Sequence, residues 1–85
     1  MGKNLEEVVL LKEEISKEYL GKEDYKTHIL GFGISTIGKE DENHSSSKDY
    51  CIRIYVRESS PKLSFRRKYK GVRVYVRYSS EPVIS

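Results

Sequence analysis

Hydrophobic positions recur along this chain with two different periods, and the change of period divides it. Leu5, Val8, Leu11, Ile15 and Tyr19 fall three or four residues apart, with Val9 and Leu20 widening the stripe, which is the spacing of one helix face. Asn4 offers an N-cap oxygen, Glu7 completes a capping-box pattern three residues on, and Gly21 marks the stop. The pattern predicts an amphipathic helix over about residues 4–20 that covers a sheet. From residue 27 the period falls to two, the signature of half-buried strands. The first strand is expected over about residues 27–37. His28, Leu30, Phe32 and Ile34 then face the helix, and Ile29, Gly31, Gly33 and Ser35 lie on the open side. Residues 38–49 carry no apolar side chain and are expected to form a flexible hairpin loop. Two further strands follow, over about residues 50–57 and 72–78. Ser60 before Pro61 predicts a short helical turn in the link between them, and Val83 and Ile84 are expected to dock on a sheet edge.

The last two strands are near copies of one phrase. Residues 51–60, Cys-Ile-Arg-Ile-Tyr-Val-Arg-Glu-Ser-Ser, return at 71–80 as Gly-Val-Arg-Val-Tyr-Val-Arg-Tyr-Ser-Ser, with six of the ten positions identical. In each copy the aliphatic residues point one way. Arg53, Tyr55 and Arg57 in the first copy, and Arg73, Tyr75 and Arg77 in the second, point the other. Glycine on the open side of a strand needs a large neighbour packed over it, and Tyr55 and Tyr75 are the obvious candidates. That reasoning favours the strand order 2-1-3, with the glycine strand central and the two copies flanking it. The expected fold is α+β in two layers, one N-terminal helix on a three-stranded sheet, in the order α-β-β-β.

The totals limit what such a chain can be. Eighty-five residues make one domain, small enough that only about 60% of its unfolded surface is buried on folding. Apolar residues make up 36% and charged residues 34%, a lean core that still exceeds what a disordered chain carries. The single cysteine, Cys51, allows no internal disulfide and fits a reducing compartment. No leader-like or membrane-length apolar run is present, so a cytoplasmic location is expected. The net charge of +3 conceals two halves. Residues 1–42 hold 6 Lys/Arg against 10 Asp/Glu, a balance of −4, and residues 43–85 hold 10 against 3, a balance of +7. An anionic partner would be drawn to the second half.

Several chemical signals have plainer readings. Gly31-Phe32-Gly33 lacks the third glycine and the following helix of a dinucleotide fingerprint. Ser35 stands at no strand-to-helix elbow. His44 near Glu40-Asp41-Glu42 could offer ligands to a divalent ion, although a solvated turn explains the same residues. Cys51 reads as a small residue at a strand start. No cofactor, metal or catalytic residue is expected, and the chain is read as a non-enzyme.

The motifs resemble a known kind of module. A helix is followed by Ile-Leu-Gly-Phe-Gly-Ile, a polar loop, a strand ending Ile-Tyr-Val, a proline-containing link and Gly-Val-Arg-Val. This is similar to small uncharacterised bacterial and archaeal modules with a Gly-x-Gly strand and a Val-Tyr-Val strand, found also N-terminal to some trypsin-like serine protease-family proteins. Phe32, Ser35 and Arg73 stand where such modules have valine, glycine and proline. The resemblance implies the α-β-β-β layout and no catalytic residue.

Two functional readings follow. The first is a protein-interaction or self-associating module that pairs through its sheet edges, expected to be the second and third strands. The alternative is RNA or single-stranded DNA binding on a basic-aromatic face. That face would comprise Arg53, Tyr55, Arg57, Arg73, Tyr75 and Arg77, joined by Arg66, Arg67, Lys68 and Lys70 from the link.

Overall fold

The computed structural model describes residues 3–79. Helix α1 spans Leu5–Leu20, and the Asn4 side chain accepts from the Glu7 N–H at 2.9 Å, as its sequence position predicts. Val8, Leu11, Ile15 and Tyr19 are its buried face, while Leu5 and Leu20 are 46% and 45% exposed. The buried stripe is therefore narrower than the apolar one. Gly21 caps the helix with φ of −78°, an ordinary right-handed conformation rather than the left-handed stop that glycine usually provides.

Beyond α1 come the single turn α2 (Glu23–Lys26), strand β1 (Ile29–Thr36), the short helix α3 (Ile37–Glu40), a 3-10 turn at Glu42–His44, then β2 (Tyr50–Arg57), β3 (Lys68–Tyr69) and β4 (Val72–Ser79). Among the described residues no helix is long and apolar enough to cross a membrane. The class is α+β, as expected, but the sheet has four strands in the order β1-β2-β4-β3. The glycine strand β1 lies at an edge, and the two copies of the repeated phrase pair directly with each other, in parallel. The expected order 2-1-3 is thus corrected, and so are the expected edges.

The reason lies in which faces need burying. Ile52, Ile54 and Val56 have no exposure, and Val72 and Val74 almost none. The aliphatic sides of both copies sit together under Val8, Leu11, Ile15 and Tyr19 in one cluster. Burying each large aliphatic side chain contributes about 1.5–3 kcal/mol, so placing the two densest strands side by side beneath the helix outweighs shielding two glycines. The β1 side chains are only half-buried. A bulge between Ile29 and Gly31 also switches parity at the start of β1. Ile29, not Leu30 or His28, consequently joins Phe32 and Ile34 against the core.

The link from β2 to β4 forms no helical turn. The Ser60 N–H closes a turn onto the Arg57 carbonyl at 3.0 Å, and the chain then crosses beside the helix. Tyr25 Oη donates to the Ser64 carbonyl at 2.8 Å, and the Arg66 N–H donates to Tyr19 Oη at 2.8 Å. The rings of Tyr19, Tyr25 and Phe65 meet with centroids 5.2–5.4 Å apart. The link ends in the β3–β4 hairpin, whose two turn residues, Lys70 and Gly71, have φ of 47° and 86°. Positive φ at both positions is the signature of a type I′ turn, whose twist matches that of paired strands. The expected docking of Val83 and Ile84 lies outside the described residues.

These placements rank two substitutions. Ile54→Ala should cost about 2–4 kcal/mol through lost burial and a cavity. Gly71→Ala should cost about 1 kcal/mol through left-handed strain. Urea unfolding at neutral pH measures both, and a larger loss at Gly71 than at Ile54 would contradict the packing described.

Candidate functional site: the arginine–tyrosine face

The side of the sheet away from α1 carries the polar half of both copies. Because β2 and β4 run parallel with Arg53 beside Tyr75 and Tyr55 beside Arg77, each guanidinium neighbours a phenol across the strands. The copies are twenty residues apart in sequence but pair twenty-two apart. A register of twenty would set Arg53 against Arg73 and Arg57 against Arg77, and like charges directly opposite destabilise a sheet. Within each strand the arginine turns toward the tyrosine two residues on. Arg53 Nη1 donates to Tyr55 Oη at 2.8 Å, and Arg73 Nη1 to Tyr75 Oη at 3.4 Å.

Glu40 organises this face. Residues 38–49, expected to be a flexible loop, are instead folded, together with Ile37, by their own backbone. Ile37 N–H donates to the Asp49 carbonyl, Gly38 N–H to Ser47, Asp41 N–H to Ile37 and Ser47 N–H to His44, all within 3.1 Å. A Cβ on Gly38 would stand 2.5 Å and 2.7 Å from the Ser47 and Ser45 carbonyl oxygens, so only glycine permits that close approach. The fold carries the Glu40 carboxylate back onto the sheet, where its side chain has no solvent exposure. One oxygen accepts from Arg53 Nε at 3.2 Å and Arg77 Nε at 2.9 Å. The other accepts from Ser35 Oγ at 2.9 Å and from Arg53 Nη2. Desolvation on its own would raise the Glu40 pKa. The hydrogen bonds from Arg53, Arg77 and Ser35 together outweigh it and bring the value from 4.5 down to about 2. Hydrogen bonding to Glu40 correspondingly drives the Arg53 pKa up. Asp41 lies 3.7 Å from Arg73 and accepts from the Asn43 N–H.

The expected site residues thus divide. Arg53, Tyr55, Arg73, Tyr75 and Arg77 share one face with Glu40 and Asp41, and Arg57 ends the same row, exposed. Lys68 joins them, since it stands opposite Arg73 in the β3–β4 pair. Arg67 is nearby, with its carbonyl accepting from the Val74 N–H at 3.0 Å. Arg66 and Lys70 belong to the other layer. Arg66 forks onto Glu18 at 2.8 and 2.9 Å, and Lys70 reaches Glu14 at 2.8 Å, so the two like-charged helix neighbours each hold a cation from the link. The expected closure of two tyrosines over two glycines is half met. A Cβ at Gly33 would lie 3.3 Å from the Tyr55 ring, nothing lies within 4 Å of one at Gly31, and Tyr75 stands two strands away.

Glu40, Asp41 and Ser35 were not among the expected site residues. The signal for them was an acidic run directly following a strand and preceding a row of arginines with no acid of its own. Glu40 and Asp41 are engaged by arginines, and among the described residues no three His, Cys, Asp or Glu side chains form a group that could hold a metal ion. Cys51 shares the open-face parity yet has no exposure, which places the folded segment over it. Burial, reinforced by the charge of Glu40, pushes its thiol up to about 11.

The Glu40 contact has a defined pH signature. A carboxyl whose pKa is depressed by folding contributes stability above its unfolded value, and that stability is lost as pH falls through its folded value. Glu40 therefore supports the fold fully above about pH 4.5 and loses that contribution toward pH 2. Glu40→Gln should cost about 1–3 kcal/mol at neutral pH, and its deficit relative to the unsubstituted chain should shrink between pH 4.5 and 2 in urea titrations. The same substitution should speed reaction of Cys51 with a thiol reagent at pH 8. A deficit independent of pH, with Cys51 no more reactive, would contradict the arrangement. Comparison with known proteins adds no family to this geometry: no family model, no curated protein and no solved structure matches the chain.

Proposed function

We propose that the chain is a small non-enzymatic module that self-associates edge to edge through β1. One observation carries this reading: β1 is an outer strand of eight residues, Ile-Leu-Gly-Phe-Gly-Ile-Ser-Thr, with no charge and no proline. Edge strands of monomers are ordinarily blunted by lysines, prolines or covering segments, and here the arginines stand on β2 and β4. The nearest following charge is Lys39, beyond the strand end.

The register fixes which groups a partner strand would meet. The Ile37 N–H points to the Asp49 carbonyl on the β2 side, so by alternation Gly31, Gly33 and Ser35 bond β2, while Phe32, Ile34 and Thr36 present their amides outward. A second copy laid antiparallel would pair those amides with their own equivalents about a two-fold axis, a self-complementary contact. Leu5 adjoins the same margin, sharing one depression with Ile34 and Thr36 and another with Val9 and Leu10. Leu10 is 60% exposed, and pairing at β1 would cover part of this apolar surface.

A second reading, RNA or single-stranded DNA along the open face, is favoured by Arg57, Arg67 and Lys68, which have no carboxylate partner among the described residues. It requires labelled single strands to bind at low salt, weaken steeply with added salt, and lose affinity in a Tyr55→Ala/Tyr75→Ala double variant.

Gly31→Lys tests the first reading. A Cβ there meets nothing within 4 Å and needs no left-handed backbone, so the monomer should keep its stability within about 0.5 kcal/mol. Sedimentation equilibrium should show concentration-dependent dimers for the unsubstituted chain and monomers for Gly31→Lys. A strict monomer before substitution, or a dimer unaffected by it, rules out pairing through β1.

A further inference from the structure

The opposite margin of the sheet is open in a different way. β3 is only two residues long and covers β4 no further than Arg73, with the Arg67 carbonyl taking the Val74 N–H. The chain then leaves, and among the described residues no strand continues alongside the rest of β4. Since the Val74 N–H points to that side, alternation directs the N–H and C=O groups of Val76 and Tyr78 there too. A groove of about 480 Å³ occupies the vacated position, lined by Arg67, Lys68, Arg73, Val74, Tyr75 and Val76. Three of its six lining residues are cations and none is an acid. Its two flanks differ: Arg73, Tyr75 and Arg77 stand on the open face, whereas Val74 and Val76 stand toward the helix layer.

We propose that this groove receives an extended peptide segment of a partner protein, added as a strand on β4 beyond β3, with acidic and apolar residues in alternation. The main-chain groups of Val76 and Tyr78 supply the ladder, as in other strand-addition complexes. Side chains of the incoming strand alternate between the two faces. Those on the open face meet Arg73, with Lys68 and Arg67 beside it, and are carboxylates, and those on the helix side meet Val74 and Val76 and are aliphatic. Asp41 approaches Arg73 only to 3.7 Å, and Lys68 and Arg67 have no acid partner among the described residues, so these cations can receive carboxylates without displacing a buried one. A nucleic-acid strand fits the site less well. Its phosphates can accept from single amides but supply no alternating N–H and C=O ladder to match Val76 and Tyr78, and the Tyr55 ring is already packed against Gly33, with the Arg53 guanidinium 5.5 Å from its centroid.

The test uses fluorescence anisotropy at low salt with three labelled probes: an alternating valine–glutamate octapeptide, the same peptide N-methylated at every second residue, and oligo-uridine. The proposal requires the first probe to bind, the second to bind at least about tenfold more weakly, and oligo-uridine to bind more weakly than the first. Arg73→Glu should abolish peptide binding. Tyr78→Pro should weaken it about tenfold while leaving the fold intact, because the N–H it removes faces solvent and Tyr78 is 55% exposed. Gly31→Lys, on the far margin, should leave it unchanged, which separates this site from pairing through β1. The proposal is overturned if the octapeptide does not bind, if N-methylation and Tyr78→Pro have no effect, or if oligo-uridine binds more tightly than the peptide.

Discussion

The parallel pairing of the two repeated strands, offset by twenty-two residues, is the constraint on which the rest of the structure depends. It places Ile52, Ile54 and Val56 beside Val74 and Val76 under one helix, so that a short chain concentrates its aliphatic residues in one place. Parallel neighbours cannot be joined by a tight turn, which forces residues 58–71 to cross over. That crossing is what brings Phe65 against Tyr19 and Tyr25, and Arg66 and Lys70 to Glu18 and Glu14. With the middle of the sheet occupied by the twin strands, the glycine strand is left at one margin and a two-residue strand at the other. Both open edges are consequences of that one pairing.

The same register decides the electrostatics of the open face. Interleaving arginine with tyrosine avoids direct guanidinium contacts, but it still leaves four arginines on two adjacent strands. Glu40 is the response. Its carboxylate bridges Arg53 on β2 and Arg77 on β4, so one buried charge ties together the two strands whose pairing the core demands. An isolated buried carboxylate would be expensive. Here three side chains donate to it and its pKa falls rather than rises. The folding of residues 37–49 over the sheet is the structural cost of delivering that group, and the tight passage at Gly38 shows how closely the segment is fitted.

Much of this was legible in the residues. The helix with its Asn4 cap, the two later strands and the polarity of each face followed from period and capping alone. The position of β1 did not, because glycines on an open face look the same whether a neighbour covers them from both sides or one. The rule that glycine needs a covering residue competed with the larger gain from burying the twin strands together, and the second term wins when both copies carry three aliphatics. The folded state of residues 37–49 was hidden for a related reason. Residues 38–49, without an apolar side chain, read as solvated unless the arginines of β2 and β4 are counted as their partners. The sequence therefore shows a basic and aromatic face, while the acid that organises it sits in a stretch that looks like a loop. The bulge that exchanges Leu30 for Ile29 in the core has no signal in a run where both parities are apolar.

The account rests on β1 being an edge strand beside a parallel β2–β4 pair, and residue-resolved amide hydrogen exchange on dilute protein measures this directly. The account predicts protection at Gly31, Gly33 and Ser35, whose amides bond β2, and fast exchange at Phe32 and Ile34, whose amides face outward. Strong protection at all five positions in dilute solution would mean that β1 is flanked on both sides, and would contradict it.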